Sequence, residues 1–369
     1  MRSLKSRALP ASRTATNPSY RRQWALDKIE LEEAWNLIAA AKRGELVREE
    51  PITVAIVDWG VKPDHQVFVR NRQTVFGHRV IPPEGSNFDD DDGHGTMLAG
   101  TVSAITSFDG GGRATVSLAR LMAVKFIDVR TAPMSDNAAK AITFAVDHGA
   151  QIINASWNVG LNNPELRKAI EYAGTKGVLV VVAAGNNGGN NRHYLTFPAS
   201  YNLENMISVM ATDEDDYKAD FSNYGKNVHI AAPGVNIVST SAYLCPLSVP
   251  PSQSRNLGYR TYSGTSPAAA HVSGAAALLL SINRSWTPAE IREHLVSSAD
   301  YVPSLERFGI GRLNLRCAVE RAMRRDRVTD KHLLIRRTSY DVKWSAGPKY
   351  RMIELCSRSK VNLISRNPG

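Results

Sequence analysis

The stretch Ile52-Thr-Val-Ala-Ile-Val-Asp58-Trp-Gly60 decides the architecture of this chain. Its apolar, β-branched run favours a strand, and the absence of polar alternation indicates a strand that is buried on both faces. Comparable runs follow at residues 121–126, 152–156 and 178–184, with helical patterns between them. This alternation predicts an α/β fold in three layers, with a mostly parallel central sheet and helices on both faces.

The helices carry recognisable start and stop signals. Asn163 precedes Pro164, and Gly177 follows Lys176, which is the order expected for an N-cap, a first helical residue and a stop. Thr287-Pro-Ala-Glu290 predicts a capping box that opens a helix to about residue 298. Further helices are predicted at 24–40, 137–148 and 266–282, and further strands at 207–211 and 229–232.

The basic residues are concentrated at the two ends of the chain. The formal charge is +10 over 369 residues; residues 1–22 carry +6 and residues 323–369 carry +8, which leaves −4 between them. We therefore expect a basic, disordered arm at 1–22, a folded domain at 23–322 and a basic extension of unknown structure at 323–369. A transit peptide is the alternative for the arm. Because no basic groove interleaved with aromatic residues is visible, we expect no nucleic-acid partner.

The composition excludes several other classes of protein. Hydrophobic residues make up 43% of the chain, enough for a sizeable core, whereas the apolar runs are too short to cross a bilayer. We expect a soluble monomer without a membrane span, and since no secretory signal is visible its compartment stays open. Cys245, Cys317 and Cys356 are odd in number and far apart, so we expect no disulfide framework, no metal and no cofactor.

Three polar residues stand in apolar or glycine-rich frames in the order Asp58, His94, Ser266. This is one of the known chain orders of a hydrolytic triad, in which a carboxylate orients an imidazole and the imidazole activates a hydroxyl. Asp58 ends a predicted strand, His94 lies between two glycines before a helix, and Ser266 opens a helix. Each residue alone also has a structural interpretation, as a turn aspartate, a loop histidine or a helix-capping serine.

Asn186 is a candidate donor to a developing negative charge. It follows the strand at 178–184, and ligands of parallel sheets bind beyond the carboxyl ends of strands. Its side-chain amide and the backbone N–H of Ser266, at the positive end of a helix, are suited to an oxyanion. Asn187 is the competing donor, and the shaping of a turn is the structural alternative for Asn186.

Together these segments resemble the subtilisin-like serine proteases, the subtilases. The resemblance implies a serine endopeptidase acting on polypeptide, with Asp58, His94 and Ser266 as its triad and Asn186 as its oxyanion donor. The alternative is a catalytically impaired, peptide-binding pseudoprotease. The resemblance runs from about Pro18 to Ala322 and includes Gln23-Trp24, Ala-Val-Lys at 123–125, Phe-Pro-Ala at 197–199, Phe-Ser-Asn-Tyr-Gly at 221–225, Ala-Ala-Pro-Gly at 231–234 and Gly-Arg-Leu-Asn at 311–314.

The resemblance also implies where a substrate binds. A peptide is expected to add as a strand along Ser156, Trp157 and Asn158 through main-chain hydrogen bonds, with Ala184 and Gly185 in the same site. It further implies a cis peptide bond before Pro198.

Several positions depart from the family pattern. Trp59 stands where Thr or Ser is usual, Pro267 where Met is usual, and Asn158 where glycine is usual; these three motivate the pseudoprotease alternative. Pro267 is compatible with the start of a helix, because the oxyanion site needs the N–H of Ser266 itself. Val67 replaces an expected calcium-ligating aspartate, so we expect no strong calcium site, and Ala270 replaces a common proline.

Overall fold

The structure is a computed structural model that describes residues 23–42, 50–108, 116–128, 134–242 and 258–329. The predicted arm at 1–22 and residues 330–369 lie outside the described residues. The strands are β1 (Ile52–Asp58), β2 (Val75–Arg79), β3 (Ser107–Phe108), β4 (Val116–Ser117), β5 (Ala119–Lys125), β6 (Ile152–Ala155), β7 (Leu179–Ala183), β8 (Met206–Thr212), β9 (Ile230–Pro233), β10 (Ile237–Thr240) and β11 (Tyr259–Tyr262).

The described residues also form nine α-helices. They are α1 (Trp24–Lys28), α2 (Leu31–Lys42), α3 (Gln66–Arg70), α4 (His94–Thr106), α5 (Met134–Asp147), α6 (Pro164–Thr175), α7 (Thr265–Ile282), α8 (Pro288–Ser297) and α9 (Leu315–Thr329). Short 3₁₀ helices span Ala199–Tyr201 and Pro303–Phe308.

Seven strands form one parallel sheet in the order β2-β5-β1-β6-β7-β8-β9. Alternate residues of β1 face opposite layers: Val54 and Ile56 pack in the cluster that holds α4 and α7, whereas Ala55 and Val57 pack in the cluster that holds α5 and α6. The predicted three-layer α/β fold is therefore confirmed.

Helix α7 is the centre of one layer. It is long and apolar enough to cross a membrane, but 94% of its span is buried inside the molecule. Its small residues allow close packing, since a Cβ at Gly274 would lie 2.9 Å from Cβ of Ile105 in α4. The pairing of α4 with α7 brings the two helix starts that carry His94 and Ser266 into one layer.

Most predicted elements are present within a few residues, with three differences. The helix predicted over 24–40 is two helices, because Glu30 adopts a left-handed backbone conformation with φ 55°. Helix α7 begins one residue early, at Thr265. Helix α9 (Leu315–Thr329) is an additional element that the sequence patterns did not predict. Signals at Asn163 and Thr287 are confirmed as an N-cap and a capping box.

Candidate active site

Asp58 and His94 are in direct contact. Asp58 is the last residue of β1 and His94 the first of α4, and Asp58 Oδ1 lies 2.8 Å from His94 Nδ1. The same Oδ1 accepts from the backbone N–H of Trp59 at 2.9 Å. The Asp58 side chain is 1% exposed and the His94 side chain 28%. The carboxylate is thus shielded from water and fixes the ring by Nδ1, which leaves Nε2 for another partner.

Asp90 sets the start of α4. Its Oδ1 accepts from the backbone N–H groups of Asp92 and Gly93, and its Oδ2 accepts from both the N–H and the hydroxyl of Thr96, at 2.6 to 3.0 Å. A carboxylate at this end also complements the helix dipole. Four bonds to one side chain therefore hold the first turn that carries His94.

Gly95 allows this turn to touch β1. A Cβ at Gly95 would lie 1.9 Å from the carbonyl oxygen of Gly60 and 3.3 Å from Cβ of Asp58. Any larger residue would push His94 away from its carboxylate partner.

Lys125 is a buried cation that holds the acidic loop from the other side. Its Nζ lies 2.9 Å from Asp91 Oδ2 and donates to the Asp89 carbonyl at 2.7 Å, while its side chain is 3% exposed. The loop is therefore fixed both by its own capping carboxylate and by the end of β5.

Nearby acids control the protonation of His94. Burial lowers the pKa of the imidazole, but Asp58, and then Asp92 and Asp90, outweigh burial and raise this pKa above its usual 6.5. The pKa of Asp92 is itself raised, first by burial and also by the charges of Asp90 and Asp58, against the opposing influence of His94. The site therefore favours the protonated ring.

Ser266 is the second residue of α7 and is buried. Its hydroxyl donates to the carbonyl of Ser156 at 3.0 Å, and the hydroxyl of Ser156 donates to the carbonyl of Ser266 at 3.1 Å. Among the described residues, Ser266 makes no hydrogen bond to His94. The structure thus joins Asp58 to His94, but the predicted third member faces Ser156.

Asn186 is joined to the start of α7. Its Oδ1 accepts from the N–H of Thr265 at 2.9 Å and from the hydroxyl of Thr265 at 2.8 Å. Since the oxygen is occupied, the amide nitrogen is directed elsewhere, and a Cβ placed on Gly264 would lie 3.6 Å from it. The exposed Asn187 is held differently, because its backbone N–H donates to Asn223. The contacts with Thr265 distinguish Asn186 from its competitor.

Asn223 fixes the loop after β7. Its Oδ1 accepts from the N–H groups of Asn187 and Gly189 at 3.0 and 2.9 Å, and its Nδ2 donates to Thr196 at 3.2 Å. Gly185 packs against this amide with φ +108°, and a Cβ there would lie 2.3 Å from Asn223 Nδ2. Ala184 is fully buried beneath the loop.

The predicted substrate segment follows β6. The Trp157 indole is buried and donates to the carbonyl of Val57 at 2.8 Å, so this side chain belongs to the core. The backbone groups of Trp157 and Asn158 make no hydrogen bond with other described residues, whereas Val159 N donates to Phe197 O at 2.8 Å. Oδ1 of Asn158 is buried without a partner in the described part of the chain. The predicted cis bond before Pro198 is confirmed.

Sequence reasoning missed three residues that position the site. Asp90 lies in the acidic run before His94, Lys125 is a charge at the end of an apolar strand, and Asn223 lies in the motif at 221–225. The strand-terminal lysine was the clearest available signal, because a cation in a buried strand requires an anionic or carbonyl partner.

Comparisons with known proteins identify the family of the chain. The model of the subtilase family matches residues 49–314. Thermitase of Thermoactinomyces vulgaris is 34% identical over 300 residues, which cover 81% of this chain and 96% of thermitase. Alkaline elastase YaB of Bacillus sp. (strain YaB) is 34% identical over 269 residues, which cover 72% of this chain but 64% of that protein.

A solved structure shares the fold. A protease from Pseudoalteromonas arctica PAMC 21717 superposes with a TM-score of 0.66 at 26% identity, covering 83% of this chain and 98% of that one. The family match spans residues 49–314, and thermitase is similar over 81% of the chain. The chain belongs to the subtilase family of serine-type endopeptidases.

Proposed function

We propose that this subtilase cleaves peptide bonds in extended polypeptides, with Ser266 as nucleophile, His94 as general base and then general acid, and Asp58 as the residue that orients His94. The contact that carries the proposal is the 2.8 Å hydrogen bond between buried Asp58 and partly exposed His94. A buried carboxylate on Nδ1 holds the ring in one tautomer and stabilises the imidazolium that forms during the reaction.

The chemistry proceeds in two halves. In the first, Ser266 Oγ attacks the scissile carbonyl carbon while His94 Nε2 takes the hydroxyl proton, and collapse of the tetrahedral intermediate delivers that proton to the leaving amine. In the second, water attacks the acyl-enzyme ester, His94 takes the water proton, and the same proton returns to Ser266 as the acid product leaves. Ser266 must first rotate away from the carbonyl of Ser156 to reach His94.

Asn186 and the backbone N–H of Ser266 are proposed to bind the oxyanion. Thr265 occupies the side-chain oxygen of Asn186 through two hydrogen bonds, so the amide nitrogen is the group available to an anion. The N–H of Ser266 belongs to the first turn of α7, where helical N–H groups have no partner four residues earlier. Preorganised donors of this kind stabilise charge that appears only in the transition state.

The substrate is proposed to add as a strand to residues 156–158. The support is the row of backbone groups at Trp157 and Asn158 that have no hydrogen-bond partner among the described residues. Main-chain pairing of this kind binds many sequences, and side-chain pockets add the selectivity. Ala184 and Gly185 directly follow the neighbouring strand β7, and the buried Ala184 supports the proposed cleft from beneath.

Labelling with a fluorophosphonate, read by intact mass and peptide mapping, tests the proposal. We expect one adduct on Ser266 of the full-length protein, with parallel hydrolysis of casein. The Ser266→Ala variant should lose the adduct and about 10⁵–10⁶-fold of the turnover. Ser263→Ala is the matched control, because this nearby serine bonds the backbone of Asn236 and should leave labelling unchanged. Folded wild-type protein without an adduct would refute the mechanism.

A second candidate is a peptide-binding pseudoprotease. The observation that favours it is the orientation of Ser266, whose hydroxyl donates to Ser156. In free enzymes catalytic hydrogen bonds are often loose and tighten with substrate, which is why hydrolysis is our first proposal. Saturable peptide binding without labelling or turnover would establish the second candidate instead.

A further inference from the structure

A cavity of about 630 Å³ is lined by cationic and aromatic side chains and by none of the residues of the proposed triad. Its volume falls in the range of small-molecule sites. The lining residues are Asn190, Arg192, Lys218, Tyr224, Gly225, Lys226, Arg307 and Phe308. Four of these eight carry a positive charge, and none is acidic.

The cavity is built on fixed backbone. Asn191 N donates to Tyr224 O at 2.7 Å, and Tyr224 N donates to Gly189 O at 3.0 Å. Asn190 Oδ1 accepts from the backbone N–H of Arg192 at 2.9 Å. Gly225, with φ +130°, leaves space for that oxygen, since a Cβ there would lie 2.6 Å from it. The two loops that present Arg192 and Lys226 are therefore joined.

Aromatic rings separate two of the cations. Lys218 Nζ lies 5.6 Å from the centre of the Tyr224 ring, and the Arg307 guanidinium lies 4.6 Å from that of Phe308. The two rings meet edge to face at 5.2 Å. Lys218 also donates to the carbonyls of Ala219 and Ser222 at 2.7 and 3.0 Å, so it is a structural cation at the wall of the cavity.

The other three cations are available to a ligand. Arg192, Lys226 and Arg307 are exposed, and none forms an ion pair with an acid in the described part of the chain. The pKa of Lys218 is lowered, first by burial and also by the nearby positive charge of Arg307, although the negative charge of Asp220 acts in the opposite direction. Such a concentration of uncompensated charge stands out in a region, residues 23–322, whose net charge is −4.

We propose that this cationic cavity binds a small organic phosphate that carries two or more phosphate groups. Guanidinium groups match phosphate oxygens in a bidentate fork, and three free cations around one cavity suit a multivalent anion better than a single carboxylate. The partly buried rings of Tyr224 and Phe308 give the cavity an apolar wall against which an organic group attached to the phosphates can pack. A nucleoside polyphosphate combines these features.

Isothermal titration calorimetry of the full chain with ATP, pyrophosphate and adenosine tests this site. The inactive Ser266→Ala background prevents self-digestion during the titration. We expect saturable binding of ATP and pyrophosphate with a 1:1 ratio, weakened by added salt, and no binding of adenosine. In the double variant Arg192→Gln/Arg307→Gln the Kd should rise by about tenfold or more, as expected for lost charge-assisted hydrogen bonds.

The matched control removes two exposed charges elsewhere, in Arg72→Gln/Lys140→Gln, and should bind as the parent does. Both double variants keep the basic chain ends. If those ends bind ATP, the two variants will have equal Kd values, and this result would overturn the assignment of the site to the cavity. Adenosine binding as tightly as ATP would also overturn it, and so would binding of a single-stranded oligonucleotide without binding of ATP or pyrophosphate. Thermal unfolding of each variant verifies that the fold is retained.

Discussion

Ser266 and Ser156 form a reciprocal pair: each hydroxyl donates to the other residue's carbonyl, at 3.0 and 3.1 Å. The pair connects the first turn of α7 to the chain just after β6. It continues into the core, because Asn154 Nδ2 donates to the Ser156 hydroxyl and the Ser273 hydroxyl donates to Asn154 Oδ1, both at 2.9 Å. A buried polar network therefore sets the resting position of Ser266.

The variant Ser156→Ala tests this network. It leaves the buried amide of Asn154 and the carbonyl of Ser266 without the hydroxyl, so we expect the free energy of unfolding to fall by about 1–3 kcal/mol. Urea denaturation measures the change. Fluorophosphonate labelling of Ser266 should persist, since the carbonyl of residue 156 is retained. Ser285→Ala, at an exposed serine, is the control and should cost less than about 0.5 kcal/mol; equal values for the two variants would contradict the network.

Asp90 acts on His94 through the helix start, because both of its carboxylate oxygens accept hydrogen bonds from the first turn of α4 and the loop before it. We expect Asp90→Ala to remove four hydrogen bonds from the start of α4 and to lower the stability by about 1–2 kcal/mol, as for a lost N-cap. The value of kcat/KM should fall as well, and the acidic limb of its pH profile should move to lower pH, because Asp90 raises the pKa of His94.

Asp64→Ala is the control for this experiment, because the Asp64 side chain is 73% exposed and makes a surface ion pair with Lys62. Such pairs contribute about 0–1 kcal/mol. If Asp90→Ala lowers the stability but leaves the pH profile of kcat/KM unchanged, Asp90 only caps the helix and does not influence the pKa of His94.

The sequence predicted the layers and the candidate residues because both depend on local pattern. β1 is unbroken and largely apolar up to Asp58. His94 stands between two glycines at a helix start, and Ser266 follows Gly264-Thr265 at another. The edge strand β2 escaped prediction because it is half-buried and contains Gly77, whose lack of a side chain is explained by β5: a Cβ there would lie 2.1 Å from the carbonyl of Ala123.

The orientation of Ser266 escaped prediction for a different reason. It depends on a carbonyl 110 residues away in the chain, and no local pattern encodes which of two acceptors a hydroxyl meets. The function of Asn223 is likewise a contact with the backbone of a distant loop, so the sequence displays it only as an ordinary polar residue. Asp90 makes only local contacts, but it stands in a run of four aspartates in which the sequence does not distinguish the capping residue.

The pH dependence of the reaction follows from the environment of His94. The ring must be neutral to accept the proton of Ser266, and its pKa is raised above 6.5, where Asp58 and Asp92 outweigh burial. We therefore expect kcat/KM to fall on the acid side with a midpoint above 6.5. Asp92→Asn should lower that midpoint at low ionic strength, whereas Asp64→Asn should leave it in place. An unchanged midpoint in Asp92→Asn would contradict the electrostatic explanation.

The free energy of unfolding should fall as the pH rises through the pKa of His94, whereas kcat/KM should rise. Because the pKa of His94 is raised in the folded protein, its protonation stabilises the fold fully below about 6.5, the ordinary value. This contribution is lost as the pH rises through the folded pKa. We expect urea midpoints of Ser266→Ala to decline over that window, and the decline to be smaller in Ser266→Ala/Asp58→Asn, which lacks the charge that raises the pKa.

Asn186 is held through its side-chain oxygen by Thr265, whereas Asn187 is held through its backbone N–H by Asn223. The side-chain amide of Asn186 is therefore the one that we expect to bind the oxyanion. We expect Asn186→Ala to lower kcat by about 10²–10³-fold with little change in KM, the loss known for such a donor in a bacterial subtilisin. Asn187→Ala should stay close to wild type, since that side chain is exposed and its backbone is held by Asn223. Asn186 also accepts two bonds from Thr265, so Thr265→Ala is needed to separate anion binding from positioning. A loss in Asn187→Ala equal to that in Asn186→Ala would remove Asn186 from the oxyanion site. A large loss in Asn186→Ala with a smaller one in Thr265→Ala, which loses only one of the two positioning bonds, would establish the Asn186 amide as the donor.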